Sequence, residues 1–320
     1  MKKLLEVKNL SAVFPGKEYS TYAVNDISFD IYEDESLGIV GESGSGKSVT
    51  AKSILNLLKG QAEYQGQIIY KDMDLLKADE KTLRNIRGDE ISMVFQDPMT
   101  SLNPLFTIEK QMHRLIKRHR KNLSKEKIKD ISIKYLKLVG IPDPESRISS
   151  YPHEFSGGMK QRVMIAMSLC LEPELIIADE PTTALDVTIQ AQVLNLLNNL
   201  NKENKQATLL ITHDLGVVAN TCERVIVLYG GKIMEQANVE EIFENSLHPY
   251  TLGLLESLPK IGEKKRLVPI PGNPPILKKK PKGCPFYDRC KFRENICREK
   301  FPEARIVSDD HKVFCHIVKE

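Results

Sequence analysis

Residues 36–48 read SLGIVGESGSGKS, a short apolar run that leads directly into a loop rich in glycine and serine. Residues 41–48 fit the pattern G-x-x-x-x-G-K-[ST], and residues 49–58 have the pattern of a helix. In a loop of this kind the glycines let backbone N–H groups turn toward phosphate oxygens, and the following helix directs its positive end at them. A strand before the loop and a helix after it predict a site for a nucleoside triphosphate.

The end of this loop carries two side chains with separate predicted roles. Lys47 is expected to reach the β- and γ-phosphates, and Ser48 to place its hydroxyl on Mg²⁺. The sequence therefore predicts ATP and Mg²⁺ as ligands. The other predicted nucleotide contacts in the loop are Gly41, Ser43, Gly44, Ser45 and Gly46.

Two carboxylates end a second apolar run, LIIADE at residues 175–180. At the C-terminal end of a parallel strand, Asp179 can hold the Mg²⁺ shell, and Glu180 can act as general base for the attacking water. A strand that ends in two solvated acids is common by itself. After a phosphate loop, the pair predicts hydrolysis of the bound nucleotide.

Composition excludes some classes of protein. The 320 residues include 46 Lys and Arg against 43 Asp and Glu, so the net charge is only +3 and gives no electrostatic argument for a nucleic-acid partner. No apolar run approaches the roughly 20 residues that a bilayer requires, and the N-terminus lacks the sustained apolar region of a signal peptide. We expect an intracellular protein whose link to any membrane is made through a partner.

The order of patterns predicts an α/β fold. Residues 4–32 alternate apolar and polar side chains, which is typical of antiparallel strands with one wet face. Residues 98–166 contain basic amphipathic helices, expected at 108–121 and 125–139, and form a separate helical lobe. Strand patterns then alternate with helices from residue 175 to 228, which predicts a core built on a parallel sheet.

Between these motifs lies FSGGMKQR, residues 155–162, in which Ser-Gly-Gly opens a helix and offers a second anion site. Alone, the segment reads as an ordinary helix N-cap. Together with the loop and the acid pair it resembles the signature of the ATP-binding-cassette family. That resemblance implies a head-to-tail dimer with two sandwiched ATPs, in which Ser156, Gly157 and Gly158 press on the γ-phosphate bound by the other subunit.

The resemblance implies roles for four more residues. Gln96, in VFQDP, is similar to the Q-loop glutamine that touches Mg²⁺ and the attacking water. Asp186 is similar to the D-loop aspartate at the dimer seam, and His213 to the switch histidine that contacts the γ-phosphate. Phe14 is either the aromatic that stacks on adenine or a core phenylalanine.

The resemblance covers residues 4–235, predicted as the cassette domain with a helical lobe at about 97–170. One departure concerns the signature, whose usual first and fifth residues are Leu and Gln. Here they are Phe155 and Met159, a form that resembles the peptide-importer branch. The Ser-Gly-Gly anion site is unchanged by the departure.

Four of the six cysteines lie near the C-terminus: Cys284, Cys290, Cys297 and Cys315. Their spacing is wider and less even than in zinc ribbons, and four thiolates can instead hold a [4Fe–4S] cluster. His311 and His316 are alternative ligands, which keeps zinc open. We expect a helical segment and a Pro/Lys-rich linker at 236–282, then a small four-cysteine domain at 283–320.

This segment, with HPY at 248–250 and prolines at 269–275, resembles the C-terminal extension of oligopeptide/dipeptide permease ATPases, some of which carry such a cluster. The resemblance therefore favours an iron–sulfur cluster over zinc or free thiols. The resemblance implies the ATPase motor of a membrane importer, peripheral at the cytoplasmic face of the membrane. Its expected partners are two integral membrane permease subunits, a second cassette ATPase and, indirectly, an extracytoplasmic solute-binding protein. Alternatives are an importer of nickel or another small solute, a soluble cassette ATPase acting on nucleic acid or the ribosome, and a regulator sensing metal or redox state.

Overall fold

A computed structural model describes residues 2–97, 101–181, 190–195, 198, 205–258, 269–308 and 310–318. The chain divides into two compact units. The first comprises Met1–Tyr32, Ser36–Ala78 and Leu210–Glu320, and the second Glu33–Glu35 and Asp79–Leu209.

Strands occur in both units. In chain order they are β1 (Lys3–Phe14), β2 (Thr21–Tyr32), β3 (Ser36–Val40), β4 (Glu63–Tyr70), β5 (Met73–Asp74), β6 (Ile91–Val94), β7 (Leu175–Asp179), β8 (Ala207–Thr212), β9 (Arg224–Tyr229), β10 (Lys232–Asn238), β11 (Arg305–Ile306) and β12 (Lys312–Val313).

The α-helices whose two ends are described are α1 (Lys47–Ile54), α2 (Glu80–Ile86), α3 (Ile108–His119), α4 (Lys125–Leu138), α5 (Pro144–Arg147), α6 (Gly157–Leu169), α7 (Leu215–Thr221), α8 (Val239–Asn245), α9 (Pro249–Glu256) and α10 (Asn295–Glu299). Residues 190–195 are also helical, as the alternation of strands and helices from residue 175 to 228 predicts. Within the described ranges, no helix is long and apolar enough to cross a membrane.

The predicted antiparallel strands form a four-stranded sheet of order β2-β1-β4-β5 in the first unit. From Asp26 to Tyr32 in β2, buried side chains alternate with more exposed ones, because successive residues of a strand point to opposite faces. Val7, for example, is buried and pairs with the buried Phe29.

The second sheet of this unit has the order β11-β12-β10-β9-β3-β8. β3 and β9 run parallel, as predicted for the core, whereas β10 is antiparallel to β9, so the sheet is mixed. The change of strand direction occurs at the turn between β9 and β10. Gly230 and Gly231 form a two-residue turn with φ values of 53° and 71°, a conformation that glycine adopts without strain.

The C-terminal residues belong to the first unit, so a separate cysteine-rich domain is not supported. β12 adds to β10, with Val313 opposite Glu235. The carboxylate of Glu235 is fully buried, accepts hydrogen bonds from the N–H groups of Leu247 and His248, and lies 2.8 Å from Nε2 of His311. These bonds satisfy a buried acid that would otherwise be costly.

The helical segment predicted after residue 236 is divided into α8 and α9. The division lies at Pro249, which has no N–H and occupies the first turn of α9. Nδ1 of His248 accepts the N–H of Tyr250 and caps this helix. Burial lowers the pKa of His248 to about 3, which keeps the ring in the neutral form that can accept a hydrogen bond.

The second unit combines the parallel pair β6 and β7 with helices α3 to α6. Both amphipathic helices predicted here are present with ends within two residues of the expected ones, capped by Thr107 and Ser124. They pack around one apolar core. Its buried members include Ile108, Met112, Ile116, Ile128, Leu136, Phe155, Val163 and Ile165.

Candidate nucleotide-binding site

The phosphate loop leaves the fully buried strand β3, and α1 begins at Lys47. Gly46 has φ of 103°, and a Cβ atom there would lie 2.5 Å from the carbonyl oxygen of Ala23. Only glycine permits this close approach and this left-handed backbone. Ser43 and Gly44, at the tip of the loop, are exposed and accessible to a ligand.

Lys47 holds the loop closed upon itself. Its side chain is buried, and Nζ donates hydrogen bonds to the carbonyl oxygens of Gly41, at 2.7 Å, and Glu42, at 3.0 Å. Ser45 is also buried, and its Oγ has no hydrogen-bond partner among the described residues. A buried hydroxyl of this kind is suited to a polar ligand such as phosphate.

In the second unit, the parallel strands β6 and β7 bring two predicted site residues into contact. Glu180 directly follows β7, and Gln96 lies two residues after β6. Nε2 of Gln96 donates to Oε2 of Glu180 at 3.0 Å. Asp179, the last residue of β7, is buried, and Glu180 adopts a left-handed backbone with φ of 47°. Strained conformations of this kind occur often at functional sites.

Ser156 is the N-cap of α6, and its Oγ accepts the N–H of Met159. Gly157 is exposed, and a Cβ atom there would meet nothing within 4 Å, so the backbone at the helix start is open. Phe155 is buried in the core of the second unit, and Met159 packs against that core. The two departures from the usual signature therefore change packing and leave the open backbone unaltered.

Sequence reasoning missed a hydrogen bond made by Gln161. Its side chain is fully buried on α6, and its amide donates to the carbonyl oxygen of Pro181, the residue after Glu180. The signature helix and the acid strand are thus joined within the second unit. Glutamine is a common residue in helices, so its presence in α6 did not indicate this contact.

Three predicted site residues remain to be described: His213, Phe14 and Asp186. His213 is exposed directly after β8, where Asp214 caps α7. Phe14 is half-buried at the last position of β1, so its role toward adenine stays a prediction. Asp186 lies outside the described residues.

The four C-terminal cysteines are unbridged and line one pocket, together with Phe286 and Phe314. Burial raises the pKa of Cys284 to about 12 and also raises the pKa values of Cys290 and Cys315. In the described part of the chain, no three His, Cys, Asp or Glu side chains are arranged to hold a single metal ion.

The two histidines considered as alternative ligands have other contacts. His311 pairs with Glu235, and His316, which lines the pocket, lies with Nε2 at 2.9 Å from the carbonyl oxygen of Lys300. Because a carbonyl oxygen only accepts, that Nε2 carries the proton, and Nδ1 of His316 is the ring nitrogen left for a metal. His311 is not among the residues that line this pocket.

Comparisons with known proteins identify the family of this chain. The ABC transporter family matches residues 24–183, and the family described as "Oligopeptide/dipeptide transporter, C-terminal region" matches residues 234–297. The chain is 48% identical to the dipeptide transport ATP-binding protein DppD of Bacillus subtilis, over 98% of this chain and 95% of that protein. It is also 48% identical to the oligopeptide transport ATP-binding protein OppD of Haemophilus influenzae, over 93% and 92% of the two chains.

A solved structure supports the same class. A dimeric ATP-binding cassette in a post-hydrolysis state, bound to ADP and Pi, aligns with a TM-score of 0.68 and 30% identity. The alignment covers 73% of this chain and 98% of that one. The fold and the motifs define an ATP-binding-cassette ATPase.

The chain belongs to the ABC transporter family and falls among the ATP-binding subunits of oligopeptide and dipeptide transporters. ATPases of this family hydrolyse ATP, form dimers and work with membrane permease subunits.

A test of the loop compares two left-handed glycines. Gly46→Ala adds a clash with Ala23 to backbone strain, so we expect ATP binding to weaken by at least about tenfold. Gly60, with φ of 82° and open space around its Cβ position, is the control. Gly60→Ala should bind ATP like the parent chain, and equal losses in both variants would contradict the steric argument. Titration with a fluorescent ATP analogue measures both.

Proposed function

We propose that this chain is the motor subunit of an importer for dipeptides or oligopeptides, in which ATP is sandwiched between two cassettes. The observation that carries the proposal is the near full-length identity to peptide-transport ATPases, including the matched C-terminal region. In this proposal the loop at residues 41–48 binds the phosphates, and Ser156, Gly157 and Gly158 contact the γ-phosphate held by the second cassette. Phe14 is the candidate for stacking on adenine.

Mg²⁺ fits the residues assigned to it, because Ser48, Gln96 and Asp179 offer the hard oxygen donors that this ion prefers. When bound, the ion neutralises charge on the phosphates. Glu180 accepts the proton of the attacking water, and Gln96, which already donates to the Glu180 carboxylate, orients that group. His213 contacts the γ-phosphate, and Asp186 lies at the dimer seam.

Hydrolysis in this proposal is coupled to transport through dimer closure. ATP draws the two cassettes together, their helical lobes move with them, and two membrane permease subunits switch the access of the pore. Loss of the γ-phosphate releases the closed state. The second cassette is a related chain or another copy of this one, and a solute-binding protein outside the membrane delivers the peptide.

Replacement of Glu180 tests the chemical step. Glu180→Gln removes the proton acceptor with little change in shape, so we expect turnover to fall about a hundredfold or more while ATP binding is retained. Glu145→Gln, on the exposed surface of α5, is the matched control and should hydrolyse ATP at the parent rate. Phosphate release and nucleotide titration measure the two quantities. Parent-like turnover in Glu180→Gln would show that Glu180 is not the general base.

Transport itself tests the cargo. The chain, copurified with its permease subunits and solute-binding protein in proteoliposomes, should accumulate labelled dipeptides or oligopeptides when ATP is present on the cassette side. Glu180→Gln complexes provide the control for ATP-driven uptake. Accumulation of Ni²⁺ with no uptake of peptide would leave the ATPase assignment intact and would show that the transported solute is nickel, not a peptide.

The proposal also includes a [4Fe–4S] cluster, held by Cys284, Cys290, Cys297 and Cys315. The four thiols line one pocket and are unbridged, and its walls include Phe286, Pro302 and Phe314. Each iron of such a cluster needs one thiolate, so a single-ion arrangement is not required. Apolar walls also limit solvent access to a cluster. We assign it a structural or regulatory role.

Metal analysis of protein purified without oxygen tests this assignment. We expect about four iron and four sulfide per chain, with broad visible absorption. Cys290→Ser should lose most of the iron, whereas Cys222→Ser, outside the pocket, should retain it. One zinc with no iron, or thiols without metal, would replace the cluster by a zinc clip or free cysteines.

A further inference from the structure

The second residue of the phosphate loop, Glu42, carries a negative charge into a site for a polyphosphate anion. Its side chain is 27% exposed. Like charges disfavour one another strongly where water is partly excluded, so an uncompensated carboxylate here would oppose ATP binding. The loop therefore requires a compensating group near Glu42.

Arg289 is that group. Its two terminal nitrogens donate to the two carboxylate oxygens of Glu42, NH1 to Oε2 at 2.5 Å and NH2 to Oε1 at 3.1 Å. The guanidinium is only 6% exposed, which makes this ion pair far less screened than a surface pair. The fork geometry of the contact is the bidentate arrangement that arginine provides and lysine does not.

The remaining donors of Arg289 are also used. Nε donates to the carbonyl oxygen of Pro271, NH2 to that of Ile270, and NH1 to the hydroxyl of Tyr229. With the two bonds to Glu42, all five N–H donors have acceptors. The orientation of the guanidinium is therefore fixed by groups that are independent of any ligand.

The backbone of Glu42 is also held in place, by Tyr250, which packs against Tyr229, a partner of Arg289. Its N–H donates to Oη of Tyr250 at 2.9 Å, and the Tyr250 ring packs edge-on against Tyr229, with centroids 4.6 Å apart. The carbonyl oxygen of Glu42 accepts a hydrogen bond from Lys47 Nζ at 3.0 Å. Displacement of Glu42 would thus disturb the lysine assigned to the phosphates.

We propose that Arg289 is a positioning residue of the ATP site, which cancels the charge of Glu42 and holds its carboxylate away from the incoming phosphates. The proposal rests on the function proposed above for residues 41–48. It also joins the cysteine segment to the loop, because Arg289 directly precedes Cys290. Reorganisation around that cysteine would reach the phosphate loop through this side chain.

The test is a double-mutant cycle on the whole chain, with ATP affinity as the readout. Arg289→Gln leaves Glu42 uncompensated, so we expect ATP affinity to fall about tenfold, and less at high salt. Adding Glu42→Gln removes the unpaired charge, and the double variant should recover to within about threefold of the parent. A purely structural role for Arg289 predicts no recovery, because the second change restores none of the lost bonds.

Two further variants complete the design. Arg298→Gln removes an exposed positive charge from the same segment and should bind ATP like the parent. Arg289→Lys keeps the charge with fewer donors and should lose no more than about threefold, which provides a reading even where Arg289→Gln does not fold. Parent-like affinity in Arg289→Gln, a double variant no tighter than Arg289→Gln, or equal losses in the Lys and Gln variants would overturn the proposal.

Lys47→Ala separates this inference from the function on which it rests. Loss of ATP binding in Lys47→Ala, with parent-like binding in Arg289→Gln, would reject the role of Arg289 alone. Parent-like ATP binding in Lys47→Ala would reject the assignment of the loop instead.

Discussion

Close backbone packing at the phosphate loop constrains the first unit. At Gly46 the chain passes so near the carbonyl of Ala23 that no side chain is accommodated, and Gly231 donates its N–H to the carbonyl of Ser45. β2, β3 and the turn between β9 and β10 must therefore all be in place for the loop to keep its shape. Glycine provides the conformations, and the surrounding sheets provide their stability.

Local patterns predicted much of this molecule, because each depends on neighbouring residues. The phosphate loop, the buried strand before Asp179 and Glu180, and the helices at 108–119 and 125–138 follow from periodicity and turn chemistry. The hydrogen bond between Gln96 and Glu180 was not predicted, although the resemblance assigns both residues to the attacking water, because it joins residues 84 positions apart.

Contacts between distant segments were missed for the same physical reason. Glu42 and Arg289 are separated by 247 positions, and neither residue type is unusual in its own stretch of sequence. The expected cysteine domain illustrates a related limit. Composition marked a boundary near residue 283, but the pairing of β12 with β10 and the burial of His311 against Glu235 incorporate the segment into the first unit. Composition reports local character and does not report which strand a segment will join.

The addition of β12 to β10 has a consequence for how the protein is made. The first unit takes its strands from both ends of the chain, since β1 begins at Lys3 and β12 ends at Val313. A chain emerging from the ribosome exposes the phosphate loop long before the last strand exists. Domains usually fold as they emerge, from the N-terminus onward. Here completion of the unit must wait until β12 has been synthesised, so a shorter nascent chain lacks the finished packing around its own nucleotide loop.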